Sequence, residues 1–401
     1  MKILTVHNRY RSAAPSGENR VVDQESAALA ERGHDVELFE RHSDDIDGWS
    51  WRAKLALPGR VIWNPAAKRD LAVALGRFAP NVVHVHNTFP LFSASVLYAC
   101  RDARIPVVAT LHNYKLLCAS GDFFRDGKVC HDCASGSSAA ALIHRCYRGS
   151  AAATLPPVIG TRMNRGAWQT LVSAYIFISD SLNQSLRPLG FDPERAFVRH
   201  NLVPQVVHEL RPRPRASRQV AYIGRLDAAK GVPLLLAAWD RYRARAGDDA
   251  LQLAIAGSGE LGDEVRRWAA DRDSVRLVGH LSKKECTELV CRSRAVVLPS
   301  QWEETFGLVV VEAMAAGVPS IASNHGSFPE LITGGADGAL FRPGDPDDLA
   351  RLLTAVDADP KQFESFGRNA RTTYEKRHDP DRSIEHLLDI YRFAIERPVY
   401  G

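Results

Sequence analysis

Two glutamates, Glu304 and Glu312, stand eight positions apart in the stretch PSQWEETFGLVVVEAMAAGVPSIAS. On one continuous helix they would lie about 12 Å apart along the axis. That is wider than the roughly 5 Å between the two carboxyls of a retaining glycosidase. It suits one carboxylate on a sugar and the other on the ribose of the same nucleotide-sugar. A lone glutamate is usually exposed, but Glu312 follows Val309, Val310 and Val311 and precedes Ala313 and Met314, where an unpaired carboxylate is costly. Upstream, YIGRLDAAKG sets Arg225 and Lys230 at a strand end that enters a helix. Two fixed cations there neutralise the charge growing on a departing diphosphate without a metal; the ordinary alternative is a pair of solvated surface charges. Gly307 opens the helix that runs to about Ala316, and free N–H groups at such a start suit a phosphate. His112 closes the apolar run PVVATLH, at the strand end where α/β sheets place ligands. A strand-end histidine is more often structural. His84 and His86 in VVHVHN share that ambiguity, with His86 the second choice after His112.

The elements that must position these groups alternate short apolar runs with helical patterns, the signature of parallel-sheet α/β units. In the first half the strands read KILTVHN, HDVELFE, NVVHVHN, PVVATLHN, AYIFIS and AFVRHN. The helix ENRVVDQESAALAERG is closed by Gly33. HELRPRPRASR, with two prolines and four arginines, reads as a linker. A second series follows: QVAYIGRL, LQLAIAGSG, VRLVGHL, RAVVLPS, PSIASN and ALFRPG. The expected architecture is α/β, two Rossmann-like doubly wound domains facing across a cleft. The first spans 1–205 with a cysteine-containing insertion at about 114–150, and the second spans 215–375. A C-terminal helix within 376–401 belongs to either half. Residues 45–70, with Trp49, Trp51 and Trp63 among five basic residues, are the least regular part of the first domain.

GRLDAAKG followed by PSQWEETFGLVVVEAMAAGVPSIAS resembles the retaining glycosyltransferases of glycosyltransferase family 4, which have the GT-B fold. Glu304 and Glu312 match that family's E-x7-E motif, and RGHDVELFE, NVVHVHNTFP and PVVATLHNY resemble its acceptor-side half, so the likeness covers roughly residues 1 to 375. It implies retaining transfer in the cleft, with the donor held mainly by the second domain. By that resemblance Arg225 and Lys230 hold the diphosphate, and Glu312 the ribose. Glu304 and the backbone of Phe306, Gly307 and Leu308 hold the donor sugar and phosphates, while Gly224 and the turn with Gly257 and Gly259 flank the nucleotide. His112 matches the histidine near the transferred sugar. Gly17, in Ser16-Gly17-Glu18, matches a glycine turn after the first strand, with one glycine where two often stand.

At 401 residues, with 45% hydrophobic and 24% charged, the chain reads as a two-domain soluble protein. The start MKILTVHN reads as a strand and not a signal peptide, and no run of about 18 apolar residues appears. A net charge of +4 fits phosphates or an anionic membrane and does not call for nucleic acid. Seven cysteines without an export signal favour the cytoplasm, including the inner face of its membrane. Cys118, Cys130, Cys133 and Cys146, with eleven, two and twelve residues between them, fit a four-thiolate structural zinc site; unligated thiols and disulfides remain alternatives. No cofactor is expected for the transfer itself. Asp-x-Asp triplets at 45–47, 271–273 and 357–359 follow no convincing strand. The tryptophan-rich basic stretch suits a peripheral membrane contact or plain packed loop. The leading expectation is a glycosyltransferase acting from a nucleotide-diphosphate-sugar on a glycan, lipid-linked or small-molecule hydroxyl, in cell-surface polysaccharide or glycoconjugate synthesis. The rivals are an epimerase or phosphorylase of the same architecture, or a non-catalytic nucleotide- or carbohydrate-binding protein.

Overall fold

The structure, a computed structural model, describes residues 1–12, 16–205, 217–247 and 250–401. Most of the stretch read as a linker lies outside them. The chain divides into two compact units: Met1–Phe123 with His131–Leu202 and Asp381–Gly401, and Phe124–Cys130 with Val203–Pro380.

The first unit is built on a six-stranded sheet of β1 (Lys2–Arg9), β2 (Asp35–His42), β3 (Val82–Asn87), β4 (Val107–Leu111), β7 (Ala174–Phe177) and β8 (Ala196–Val198). A two-stranded hairpin, β5 (Phe124–Arg125) and β6 (Lys128–Val129), lies between β4 and β7 in the chain. The order is β2-β1-β3-β4-β7-β8, and every neighbouring pair is parallel. Side chains alternate faces along a strand. One face therefore carries Ile3, Thr5 and His7 from β1, Val82, His84 and His86 from β3, and Val108, Thr110 and, just past β4, His112. Read along the strands, each row passes from aliphatic to polar to histidine. The aliphatic end is sealed by the C-terminal helix Pro380–Glu396, whose Ile384, Leu387, Leu388 and Tyr391 pack on Ile3, Val82, Val108 and Ile176.

The helix Gly17–Glu31 begins where Ser16 Oγ accepts from the Glu18 N–H at 3.2 Å and ends before Gly33, whose φ of 79° suits only glycine without strain. Residues 45–70 are more regular than their composition suggested. They form the helices Trp51–Leu55 and Leu57–Ile62 and begin Pro65–Phe78. Side chains of Ser50 and Asn64 cap the first and third, and Ala67, Leu71, Ala74, Leu75 and Phe78 make a buried stripe on the third.

The second unit carries β9 (Gln219–Ile223), β10 (Gln252–Ala256), β11 (Val275–Gly279), β12 (Ala295–Leu298), β13 (Ser320–Ser323) and β14 (Gly338–Phe341). Their order is β11-β10-β9-β12-β13-β14, again all parallel. The order reverses between β9 and β12, the switch point at which open α/β sheets bind ligands beyond their carboxyl ends.

The loops at that edge touch through backbone. A Cβ on Gly231 would fall 1.7 Å from the Pro299 carbonyl oxygen, and one on Gly257 1.8 Å from that of Gly224. Hydrogen bonds complete the contact: Gly224 N–H to Ala256 O, Leu226 N–H to Ser258 O and Gln301 N–H to Ala229 O, at 2.8–3.1 Å. Glycine is required at both crossings because any side chain would push the β9, β10 and β12 loops apart.

Candidate functional site

In the second unit the loop after β9 carries Arg225 and Lys230, and the loop after β12 carries Glu304. Both leave strands that flank the switch point. Lys230 Nζ and Ser300 Oγ each donate to Glu304 Oε1 at 2.6 Å. Glu304 is only 7% exposed. Burial alone would raise its carboxyl; the Lys230 ammonium and the donated hydrogen bonds outweigh that and hold it below the ordinary value. Lys230 lies over the Trp302 ring at 5.0 Å, and its backbone N–H donates to Asp227 Oδ1 at 2.7 Å. Arg225 is half-exposed, with Nε 3.1 Å from Asp227 Oδ2.

The Glu304 loop is braced from the β13 side. Ser323 Oγ donates to Ser300 O at 2.7 Å, Ser327 N–H to Glu304 O at 3.0 Å and Ser327 Oγ to Phe306 O at 2.6 Å. Gly326 passes so close that a Cβ would lie 2.6 Å from Glu304 N. Gly307, with φ 92°, then starts the helix Leu308–Ala315. Glu304 therefore lies in the loop, with only Glu312 on the helix, so the eight-residue spacing is not one helical span. Glu312 is half-buried between buried Val311 and Ala313. Gly224 follows β9, Gly257 and Gly259 follow β10, and Phe306 and Gly307 lead into Leu308 at the start of the helix; a Cβ on Gly259 would meet Leu226 O at 2.5 Å. Ser300, Trp302 and Gly326 were not singled out in the sequence. The Gly-Ser of NHGSFPE was the one available hint.

In the first unit His112 is 7% exposed, and its Nε2 lies 2.9 Å from His86 Nδ1. Burial, with the neighbouring His7 and Arg199, pushes the His112 pKa down to about 3, so its ring is neutral near pH 7. His86 is lowered for the same chief reason. His86, His112, Asn113, Lys115, Phe89 and Trp168 are among the groups lining a pocket at this edge. Behind it, His84 shares hydrogen bonds with Tyr391 OH (2.8 Å) and Thr110 Oγ1 (2.7 Å), and Arg199 Nη1 donates to Glu25 Oε1 at 2.5 Å. Glu25, His84 and His86 are, among the described residues, the one set of three such side chains with ligand atoms within 4.8 Å. Both His84 nitrogens are engaged and the Arg199 guanidinium opposes a second cation, so the set is a hydrogen-bonded network. Cys118, Cys133 and Cys146 form no such set. Cys118 Sγ is 3.2 Å from Ser120 Oγ, while Cys133 and Cys146 pack against Ala119, Ala141 and Val158.

Gly17 is exposed in the first turn of its helix, and beside it Glu18 turns inward. Tyr10 OH donates to Glu18 Oε2 at 3.0 Å, but Oε1 has no hydrogen-bond partner among the described residues and faces His7 Nδ1 at 3.9 Å. Burial pushes the Glu18 pKa up to about 7 against a reference of 4.5, more than Tyr10, Lys115 and Asn113 lower it.

Two parallel sheets, each with the loops that bear chemistry gathered at its carboxyl edge, are the two Rossmann-like domains of the GT-B fold. The family model "Glycosyltransferase Family 4" matches residues 15–205 and "Glycosyl transferases group 1" matches 209–373. The chain belongs to the GT-B glycosyltransferases of this family type. It is 28% identical to the glycogen synthase of Mycobacterium tuberculosis, over 92% of this chain and 89% of that one. It is 26% identical to the D-inositol 3-phosphate glycosyltransferase of Rhodococcus jostii, over 100% and 90%. The fold matches Anabaena HepE in complex with UDP, at 18% identity and TM-score 0.67 over 97% and 99% of the two chains. It also matches sucrose-phosphate synthase of Thermosynechococcus elongatus, at 18% identity and TM-score 0.69 over 98% of each. No helix among the described residues is long and apolar enough to cross a membrane.

The buried Glu18 gives a pH signature. Its folded pKa is raised, so its contribution to stability is full below pH 4.5 and is lost as pH rises through about 7. Glu18→Gln, which mimics the neutral acid, is expected to melt with wild type at pH 4.5 and above it at pH 8. Equal melting temperatures at both pH values would disprove the burial argument.

Proposed function

We propose that the chain moves a sugar from a nucleoside-diphosphate sugar to an acceptor hydroxyl, with retention at the anomeric carbon and without a metal in the transfer. The observation that carries this reading is the Lys230–Glu304 contact of 2.6 Å at the switch point of the second sheet. Lys230 and Arg225 neutralise the diphosphate as it leaves, and the first N–H groups of Leu308–Ala315 bind a phosphate. Glu304 binds the donor sugar and orients Lys230, and Glu312 takes the ribose hydroxyls. Gly224, Gly257 and Gly259 keep the loops close enough for a flat nucleotide to lie on backbone. Gly17, in the first turn of its helix, approaches phosphate or acceptor, and His112 meets a hydroxyl of the transferred sugar. With a panel of nucleotide-sugars, diphosphate release is expected to fall by about a hundredfold in Lys230→Ala, Glu304→Ala and His112→Ala, the scale of one lost transition-state contact. Unchanged turnover in all three would sink the assignment, and the anomeric configuration of the product, read by NMR, decides retention.

The first-unit pocket suits a glycan, a lipid-linked sugar or a small polyol, because Phe89 and Trp168 offer apolar faces beside the amides of Asn87 and Asn113. This fits synthesis of a cell-surface polysaccharide or glycoconjugate at the inner face of the membrane. Trp51 and Leu55, 67% and 70% exposed on the helix Trp51–Leu55 beside Arg52 and Lys54, would touch that membrane. Flotation with anionic vesicles is expected to weaken on Trp51→Ser with Leu55→Ser; equal flotation counts against the contact.

A structural zinc on Cys118, Cys130, Cys133 and Cys146 is proposed from their spacing. The positions of three of the thiols do not by themselves make the tetrahedron, so the ion would have to draw them together. About one equivalent of zinc in purified protein supports the site, and less than about 0.2 removes it.

A further inference from the structure

The polar end of the first sheet holds a hydrogen bond whose direction can be worked out. His112 Nε2 and His86 Nδ1 lie 2.9 Å apart, so one carries the proton and the other the lone pair. His86 has a second nitrogen, Nε2, which makes no other hydrogen bond among the described residues and faces Glu25 Oε2 at 4.0 Å. Arg199 holds the other oxygen of that carboxylate at 2.5 Å, while its Nε is anchored on Ser383 O at 2.9 Å. Glu25 and the His86 ring are both nearly inaccessible, so the carboxylate field is poorly screened. A lone pair on His86 Nε2 would point at negative charge; an N–H there is attracted. A neutral imidazole carries one N–H. With the proton on Nε2, His86 Nδ1 is the acceptor, and His112 must donate from its own Nε2. His112 Nδ1, which has no protein partner among the described residues, is then an unprotonated nitrogen on a ring that lines the pocket.

We propose that His86, oriented by the Glu25–Arg199 pair, is a positioning residue that fixes His112 as its Nε2–H tautomer, so that His112 presents a lone pair to substrate. Resting on the proposed function, this sets the chemistry of what His112 can meet: a hydroxyl that donates its hydrogen. A phosphate or carboxylate oxygen, bringing only lone pairs, is disfavoured at that point. Glu25 and Arg199 act through His86 and touch no substrate.

The test uses the full chain with ¹⁵N-labelled histidine. The wild-type NMR spectrum is expected to show His112 protonated at Nε2 and bare at Nδ1. His86→Asn offers an amide oxygen where Nδ1 stood, and should keep that tautomer and most of the turnover. His86→Phe removes the acceptor, and should give a tautomer mixture with kcat/KM down about tenfold, the worth of one hydrogen bond. A proton on Nδ1 in wild type overturns the proposal without any variant having to fold. So does an unchanged His112 spectrum in a folded His86→Phe. If His112→Ala turns over normally while the wild-type spectrum is as expected, the tautomer stands and it is the site reading that fails.

Discussion

A carboxylate removed from water must keep a counter-charge beside it or give up its own charge. Glu304 is in that position, and the architecture of the second unit follows from how the requirement is met. Its partner, Lys230, lies 74 positions away in the chain, in a different loop. Contact at 2.6 Å requires that the loops after β9 and β12 be adjacent, which the strand order provides by placing those two strands side by side. It also requires that the loops be held, which is why backbone crosses backbone at Gly231 and Gly326 and why Ser300, Ser323 and Ser327 spend their hydroxyls on the loop. An ammonium so held is a fixed charge, and a fixed charge neutralises a developing anion without reorganising at the moment of reaction.

The first unit solves a different problem. Its sheet carries polar rings into a buried layer with little opposite charge to stabilise their cationic forms. Burial lowers the pKa of His7, His84, His86 and His112 alike, so they work as neutral donors and acceptors. The ion pair of Arg199 with Glu25, beside His86, is itself almost inaccessible, at 3% exposure on each side chain. Breaking a pair of that kind costs about 3–5 kcal/mol, because a charge is left stranded. The pair therefore has to be read as a unit when either residue is substituted.

Much of this was legible in the residues, for identifiable reasons. Every apolar run named as a sheet strand became one; the inner strands β4, β7 and β12, buried along their whole length in parallel sheets, read as near-continuous hydrophobic stretches. The helix end at Gly33 was local and chemical. The stretch 45–70 misled because its tryptophans and arginines masked two side-chain caps, Ser50 and Asn64, and a buried stripe that begins at Ala67. Glu25 and Arg199 went unremarked for another reason: they are 174 positions apart, and neither strand period nor helix period connects them. For the cysteines, the spacing permits a tetrahedron, while the thiol positions are set by loop packing that spacing does not encode.

The period of two explains why the histidines cooperate at all. In VVHVHN and VVATLHN, alternate positions put Val82, His84 and His86 on the same face as Val108, Thr110 and His112, with His84 opposite Val108, so that each ring leans one step further along β4. The register β3 to β4 then decides which rings meet: His84 reaches Thr110, and His86 reaches His112. A slip of one residue would turn all of them to the opposite face. The aliphatic base of each row is what pins that register, through Ile384, Leu387 and Leu388 of the C-terminal helix. Packing at one end of the strands thus fixes a hydrogen bond at the other. A substitution that loosens the helix on Val82 and Val108 would disturb His112 without touching the pocket it lines.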